Sequence, residues 1–228
     1  MNTQTDFFNY RAWFSKTGAS TYMSHLDIMR YFTRLFRRAG LPVWHTEGFN
    51  PHPYLNFGLP LPLGVWGLGE CVDFRLTEYN PPEAVRLALV NDPALIGSGE
   101  RGSHGVAVTG VTFPVHKTGE IAFADYEFVF SEDIRQPAAD FFARERIQVI
   151  KKSKNKQGKG DSQTQTDIKP DIARFSFEEK TLMITLCASP AKTLSPGLVS
   201  GAFREFAGLS ATRITRAGLL LQDFSPFC

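Results

Sequence analysis

Apolar residues recur along this chain with two different spacings, and the change from one spacing to the other predicts its elements. At 24–40 they return every three or four residues, which is typical of an amphipathic helix. At 7–16 and 70–77 apolar and polar residues alternate, which is typical of strands. Further elements predicted in the first half are a strand at 41–46, a helix at 81–90 and a strand at 105–115. The predicted order is βαββαβ, which forms an antiparallel sheet with both helices on one face.

The second half of the chain repeats this order. Ser195 is the expected N-cap of its last helix, and Pro196 is the expected first residue of that helix. The predicted fold class is therefore α+β, with two tandem ferredoxin-like (βαββαβ) domains and antiparallel sheets. The N-terminal domain is expected at 1–119 and the C-terminal domain at 120–228. Strands of the second domain are predicted at 124–130, 147–150, 172–177, 182–186 and 212–221, and helices at 134–143 and 195–206.

The helix at 24–40 has two chemically different faces. Ser24 with Asp27 predicts an N-cap and an acidic first turn, and Gly40 predicts the end of the helix. Like charges at neighbouring helical positions destabilise an isolated helix by about 0.2–0.5 kcal/mol per pair, so a phosphate is the favoured partner of an arginine-rich face. In the alternative interpretation, the arginines only complement the helix dipole and face solvent. The arginines opposite the apolar face are Arg30, Arg34, Arg37 and Arg38.

A loop crowded with polar and aromatic side chains follows the second predicted strand. Pro51 and Pro53 stiffen this loop, so its side chains are partly preorganised for binding. We predict that it contacts a base or a partner protein. The side chains expected to make these contacts are Glu47, Phe49, Asn50 and His52.

Three histidines, His25, His45 and His52, are candidates for chemistry. A pair of histidines can cleave RNA by acid–base catalysis on a 2′-hydroxyl group, without a metal. Two histidines with a carboxylate between them also suggest a metal, but the spacing follows no ligand rule. No metal and no cofactor are therefore predicted. In the alternative interpretation, the imidazoles only satisfy backbone groups or stack on prolines.

A polar segment at 151–166 contains five lysines, including Lys151 and Lys152. It has no apolar side chain to bury and is expected to be mobile. The segment is either an arm that contacts nucleic acid or a solvated hairpin loop. Salt dependence separates the two, because a contacting arm makes RNA affinity fall steeply with salt.

Composition excludes several classes of protein. The formal net charge is only +2, so any basic surface must be local. Cys71, Cys187 and Cys228 are far apart and form no CxxC pair, so neither a disulfide framework nor a zinc or iron–sulfur site is predicted. P-loop, GxGxxG, GxSxG and HExxH motifs do not occur. Without a leader pattern or an apolar run of about 20 residues, we expect no membrane partner and a cytoplasmic location.

Several segments of the chain together form a long, ordered set of motifs. With these segments the chain resembles the radical-SAM-linked protein family, also catalogued as the DUF2344 domain. The resemblance covers most of the chain. It is carried by Lys16, 24–27 (SHLD), Arg34, 37–40 (RRAG), 47–53 (EGFNPHP), 69–70 (GE) and 167–170 (DIKP).

The resemblance implies a radical SAM protein as partner, because members are encoded beside such a protein or fused to it. Neighbouring genes for ribosomal proteins and a ribonuclease imply an RNA or ribosome-associated setting, but no particular reaction. We therefore predict an accessory RNA-binding or substrate-presenting partner of a radical SAM enzyme, with a non-catalytic role favoured. Two alternatives stay open: a metal-independent endoribonuclease using histidine acid–base chemistry, and a purely protein-interaction module for the radical SAM partner.

Overall fold

A computed structural model describes residues 7–90, 105–154 and 161–228, with the backbone alone at 151–154 and 161–163. In these residues the chain has a mixed α/β fold with four α-helices and mostly antiparallel strands. It divides into two compact units, Met1–Ile121 with Arg216–Cys228, and Ala122–Thr215. The sequence-based division at 119/120 placed 216–228 in the second domain, whereas these residues group with the first unit.

The first unit has the element order βαββαβ. The elements are β1 (Phe8–Lys16), α1 (His25–Arg38), β2 (Leu55–Phe57), β3 (Trp66–Leu76), α2 (Pro82–Val90) and β4 (Val106–Thr112). The strands run in the order β4-β1-β3, and β2 pairs with the other edge of β3, all antiparallel.

The predicted strand at 41–46 is wrong. That segment makes only two isolated bridges, Val43 with Leu76 and His45 with Pro53, and the strand that pairs with β3 is Leu55–Phe57. Proline lacks a backbone N–H, so Pro42 and Pro53 interrupt any continuous ladder here. The start of β3 is also earlier than predicted, at Trp66 instead of Glu70.

The two faces of this sheet have different chemistry, because neighbouring residues of a strand point to opposite sides. One face is apolar and packs against α1 and α2 in a single core. The other face carries two polar pairs, Asn9 with Arg75 and Arg11 with Asp73, followed by Trp13 with Cys71. Core residues contributed by the helices are Ile28, Phe32, Leu35, Phe36, Val85 and Leu89, and those contributed by β1 and β3 are Tyr10, Ala12, Phe14, Val72, Phe74 and Leu76.

Helix α1 begins and ends at the predicted residues. The Asp27 N–H donates to Ser24 Oγ at 3.2 Å, and the Ser24 N–H donates to Asp27 Oδ2 at 3.1 Å, which forms a capping box. Hydrogen bonds from the Ser24 hydroxyl and N–H hold the pKa of Asp27 below its ordinary value. Gly40 has a φ of +66°, the left-handed conformation that commonly follows a helix.

The remaining elements of the chain follow the first unit's β4. They are β5 (Phe123–Val129), α3 (Arg135–Ala143), β6 (Gln148–Lys154), β7 (Asp161–Asp167), β8 (Ile172–Phe177), β9 (Thr181–Ser189), β10 (Lys192–Thr193), α4 (Pro196–Ala207) and β11 (Arg213–Leu220). The second unit is built around β9, which pairs with β5, β8 and β10. Helices α3 and α4 contribute to its core, where the rings of Phe141 and Phe203 lie 5.3 Å apart between centroids. Residues 216–220 of the last strand belong to the first unit.

Much of the lysine-rich segment lies in two paired strands, of which only 147–150 was predicted. Strands β6 and β7 form an antiparallel ladder in which Lys151 pairs with Thr164 and Lys152 with Gln163. Backbone hydrogen bonds of a ladder form without apolar side chains, which is why composition alone did not indicate these strands. The side chains of Lys151 and Lys152, and residues 155–160, lie outside the described residues.

Candidate functional site

The outer face of α1 presents an arginine row, which we define as Arg30, Arg34, Arg37 and Arg38. All four side chains are exposed, while the inner face of the helix is buried in the core. Arg30 lies 3.7 Å from Asp27, an exposed ion pair of little stabilising value. The row therefore places several guanidinium groups on one solvent-facing surface, where they can bind anionic groups.

The loop predicted to bind a partner is the tip of a hairpin, which we call the 44–54 hairpin. At its base the Tyr54 N–H donates to the Trp44 carbonyl at 3.2 Å, and nearer the tip the Thr46 N–H donates to the His52 carbonyl at 2.8 Å. Phe49 at the tip is completely exposed. Glu47 and Asn50 are also exposed, so the tip presents an aromatic ring between polar side chains.

The two hairpin histidines are held by the hairpin itself. His45 Nδ1 lies 3.0 Å from the Val43 carbonyl oxygen, and His52 Nδ1 lies 3.0 Å from the Asn50 carbonyl oxygen. A carbonyl oxygen only accepts, so Nδ1 donates in both bonds and Nε2 is left as the basic nitrogen. His52 also lies beside Thr46, 3.1 Å from its hydroxyl. These contacts are those of the alternative interpretation, in which the imidazoles satisfy backbone groups.

His25 lies elsewhere, as the first residue of α1, with its ring 5.1 Å from the Phe57 ring between centroids. In the described part of the chain, no contact joins His25 to His45 or His52. General acid–base cleavage needs two groups that face the same phosphodiester. The structure therefore does not bring the three predicted catalytic histidines together.

A buried ionic cluster lies beneath the N-terminus of α1. Arg216 donates to both Glu70 carboxylate oxygens, with Nε to Oε1 at 2.8 Å, and to the Leu59 carbonyl at 2.6 Å. Lys16 Nζ donates to the Met23 carbonyl at 2.8 Å. Burial lowers the pKa of Lys16, and the Glu70 carboxylate opposes that shift. Arg216 thus fastens the coil at 59–60 to Glu70 of β3, and Lys16 fastens the residue before the N-cap of α1 to β1.

A small cavity adjoins this cluster and is lined by Lys16, His25, Phe57 and Glu70 among others. Its volume is about 20 Å³, which is room for about one water molecule. Residues of the ordered motifs thus converge here in a space too small for an organic ligand.

A much larger cleft, of about 620 Å³, opens on the sheet face opposite α1. The polar partners in the β1–β3 register, Asn9 with Arg75, line it together with Asp73. Tyr54 from the base of the 44–54 hairpin forms part of its wall. In the sequence, this cleft is indicated by the polar residues at every second position of β1 and β3. The remaining lining residues are Asn56 and 114–119.

Arg75 is the most constrained cation of this cleft. Its guanidinium carbon lies 3.9 Å from the Phe7 ring centroid and 4.0 Å from the Tyr54 ring centroid, with Trp44 at 5.2 Å. Its Nε donates to Asn9 Oδ1 at 3.1 Å. Within residues 7–90, 105–154 and 161–228, no group accepts a hydrogen bond from its two terminal nitrogens.

The acidic groups near the cleft already have partners. Arg11, fully buried, donates to both Asp73 oxygens at 2.7 and 3.0 Å and to the His116 carbonyl at 2.7 Å. Glu120 accepts from the Lys117 N–H at 2.8 Å, and its Oε2 lies 3.1 Å from His116 Nδ1. The Lys117 N–H, with a smaller effect of His116, holds the pKa of Glu120 below its ordinary value.

The arginine row and the 44–54 hairpin are therefore two surfaces. The row lies on the helix that covers the apolar face of the sheet, and the hairpin leaves the sheet at a wall of the polar cleft.

No group of three or more His, Cys, Asp or Glu residues in the described ranges could hold a metal ion. Of the helices in that part of the chain, none is long and apolar enough to span a bilayer.

Comparisons with known proteins place the chain in a family. No curated protein matches its sequence. A solved structure, "Crystal Structure of a Cbf5-Nop10-Gar1 Complex", contains a chain similar to it with a TM-score of 0.44 and 9% identity, covering 93% of this chain and 49% of that one. This chain thus spans about half the length of the chain in that structure. The sequence model of a family described as "Uncharacterized protein conserved in bacteria (DUF2344)" matches residues 9–196. Since this is most of the sequence, the chain belongs to the DUF2344 family of proteins conserved in bacteria.

Proposed function

We propose that this chain is a cytoplasmic accessory protein that binds RNA and presents it to a radical SAM enzyme, without catalysing a reaction itself. The observation that carries the proposal is the arginine row on α1. Its four exposed guanidinium groups lie on a helix whose opposite face is already buried.

The geometry of the row suits a phosphate backbone. From Arg30 to Arg38 the helix rises about 12 Å, a length over which a nucleic-acid strand carries several phosphates. Guanidinium groups bind phosphate through paired hydrogen bonds, and phosphate relieves the repulsion between the arginines. The ion pair of Arg30 with Asp27, at 3.7 Å, is exposed and therefore weak, so it does not oppose binding of a phosphate by Arg30.

The tip of the 44–54 hairpin supplies a contact of another kind. Phe49 is fully exposed on a segment stiffened by Pro51 and Pro53. An exposed ring on a rigid loop stacks on unpaired bases, and neighbouring side chains such as Asn50 hydrogen-bond base edges. This supports recognition of a single-stranded or looped RNA.

The radical SAM partner is proposed from the ordered motifs at 24–27, 37–40 and 47–53. We also infer that both units are ferredoxin-like domains. The βαββαβ order and the β4-β1-β3-β2 pairing of the first unit support this interpretation.

The test uses the purified chain with fluorescently labelled, structured RNA at low salt, and a pull-down with the radical SAM protein encoded beside it. Binding to both is expected, with the labelled RNA recovered at full length in EDTA. Arg34→Glu with Arg38→Glu should abolish RNA binding, whereas Arg135→Glu with Arg204→Glu, an equal charge change on exposed residues of α3 and α4, should not. If the chain binds neither partner, the proposal is wrong.

A purely protein-interaction module is the second candidate, and one observation favours it. Tyr22, Leu26 and Leu63 are large apolar side chains that are more than half exposed near the start of α1. Leu26→Asp with Leu63→Asp separates the candidates. If the chain binds both RNA and the radical SAM protein, this double variant should lose binding to the radical SAM protein and keep binding to RNA. If the chain is purely a protein-interaction module, neither the wild type nor the variant should bind RNA.

A further inference from the structure

We propose that the polar cleft of the first unit binds a nucleoside phosphate, with Arg75 and Lys117 holding the phosphate. This site goes beyond the RNA-binding row on α1, because the residues that form it lie on the opposite face of the sheet. The cleft volume of about 620 Å³ is in the range of sites that enclose small organic ligands, about 300–1,000 Å³.

Arg75 is positioned for a phosphate before any ligand binds. The rings of Phe7 and Tyr54 cover the guanidinium at 3.9 and 4.0 Å, and Asn9 fixes its Nε at 3.1 Å. The plane of the group is thus held from three directions, so little conformational entropy is lost on binding. The terminal nitrogens are left to donate two parallel hydrogen bonds, which is the geometry a phosphate accepts.

The charge in the cleft favours an anion. Lys117 is a second, exposed cation in the lining. Asp73, the carboxylate in the lining, does not offset these cations because it is paired with the buried Arg11. Arg75 and Lys117 thus leave the cleft with a positive balance, and attraction between charges strengthens as water is excluded.

The rest of the lining suits a nucleoside better than a simple sugar phosphate. Tyr54, Pro114 and Val115 supply an apolar wall for a flat base. The Asn56 side chain donates through Nδ2 to Thr118 Oγ1 at 2.8 Å, which fixes its amide and leaves Oδ1 as an acceptor. Fixed amides of this kind recognise the polar edges of bases and sugar hydroxyls.

Calorimetry on the full chain at low salt tests the site with AMP, adenosine, inorganic phosphate and a 5′-phosphorylated oligonucleotide. AMP is expected to bind at least tenfold more tightly than adenosine. Measured in the Arg34→Glu with Arg38→Glu variant, whose arginine row should no longer bind RNA, a free nucleotide as the ligand predicts tighter binding of AMP than of the oligonucleotide, and an RNA end predicts the reverse. Equal affinity for AMP and adenosine, or no binding of either phosphorylated probe, overturns the proposal.

Variants locate the binding. Arg75→Gln should weaken AMP binding at least tenfold, and the matched control Arg34→Gln on α1 should leave it unchanged. Because Arg75 is packed between rings, the exposed Lys117→Gln serves if Arg75→Gln fails to fold, with at least a threefold loss expected. Wild-type AMP affinity in the folded cleft variant overturns the proposal. The variant Arg34→Glu with Arg38→Glu should lose RNA binding and keep the wild-type affinity for AMP. Failure of one proposal is therefore distinguishable from failure of the other.

Discussion

The guanidinium carbon of Arg75 lies 4.0 Å from the centroid of the Tyr54 ring. This contact joins β3 to the base of the 44–54 hairpin on the face of the sheet that α1 does not cover. The hairpin that carries His45, Phe49 and His52 is therefore anchored at the polar cleft and not at the arginine row.

Neutralising two members of the arginine row should change the salt dependence of RNA binding. Each phosphate contact adds about 0.7 to the slope of log K against log salt for a single strand, so Arg34→Gln with Arg38→Gln should lower the slope by about 1.4. Fluorescence anisotropy between about 50 and about 200 mM salt measures it. The control pair, Arg135→Gln with Arg204→Gln, should keep the wild-type slope. An unchanged slope in the α1 variant would place the phosphates elsewhere.

Removing Asp73 should strongly destabilise the first unit. Arg11 is fully buried, and without Asp73 it keeps only the backbone oxygens of His116 and Cys228 as acceptors, so loss of its carboxylate partner should cost about 3–5 kcal/mol. Urea unfolding of Asp73→Ala measures the loss in the free energy of unfolding. The double variant Arg11→Met with Asp73→Leu should be less destabilised than Asp73→Ala, because no charge is left unpaired. If the double variant has the lower free energy of unfolding, the loss in Asp73→Ala does not come from an unpaired charge, and the ion pair itself stabilises the fold.

The three thiols should react at very different rates. Burial, with smaller effects of the carboxylates of Asp73 and Glu70, raises the pKa of Cys71 to about 12, and its side chain is buried. Since the thiolate is the reactive form, Cys71 should not react with a disulfide reagent at pH 8 until the protein unfolds. Cys228 is exposed and should react first. Cys228→Ser should remove the fast phase, and loss of that phase in Cys71→Ser instead would contradict the assigned burial.

The N-cap of α1 should contribute stability in a pH-dependent way. Ser24→Ala should lower the free energy of unfolding by about 1 kcal/mol near neutral pH, as loss of an N-cap usually does. Ser24→Thr should retain most of the N-cap contribution. The pKa of Asp27 is lower in the folded chain than in the unfolded chain, so its contribution is present above the unfolded pKa. It is lost as pH falls through the folded pKa. Urea unfolding from pH 7 to pH 3 should show the difference between wild type and Ser24→Ala shrinking in acid.

The elements that local rules govern could be predicted from the sequence. Ser24, Asp27 and Gly40 define the ends of α1 because capping and a left-handed residue depend only on near neighbours. The alternating pattern at 41–46 was not sufficient, because Pro42 and Pro53 interrupt the ladder.

The polar cleft could not be predicted from any one strand. It depends on the register that places Asn9 opposite Arg75 and Arg11 opposite Asp73, two pairs more than 60 residues apart in the sequence. It also depends on the hairpin returning Tyr54 to the same face. Alternation indicates which residues share a face of one strand, but not which strand lies beside it.

Two glycines offer a matched test of the buried ionic cluster. A Cβ on Gly67 would lie 2.6 Å from Glu70 Cγ and Oε1, so Gly67→Ala must push Glu70 away from Arg216. Because both partners are buried and cannot move into solvent, we expect a loss of about 1–3 kcal/mol in the free energy of unfolding. Gly201 lies inside α4, and a Cβ there meets nothing within 4 Å. Gly201→Ala should therefore stabilise the chain by about 0.4–1 kcal/mol, since alanine has less freedom in the unfolded state. Urea unfolding of the two variants in parallel gives opposite signs if Glu70 is held where the hydrogen bonds to Arg216 place it. Equal stability of Gly67→Ala and wild type would mean that Glu70 can leave Arg216 without loss.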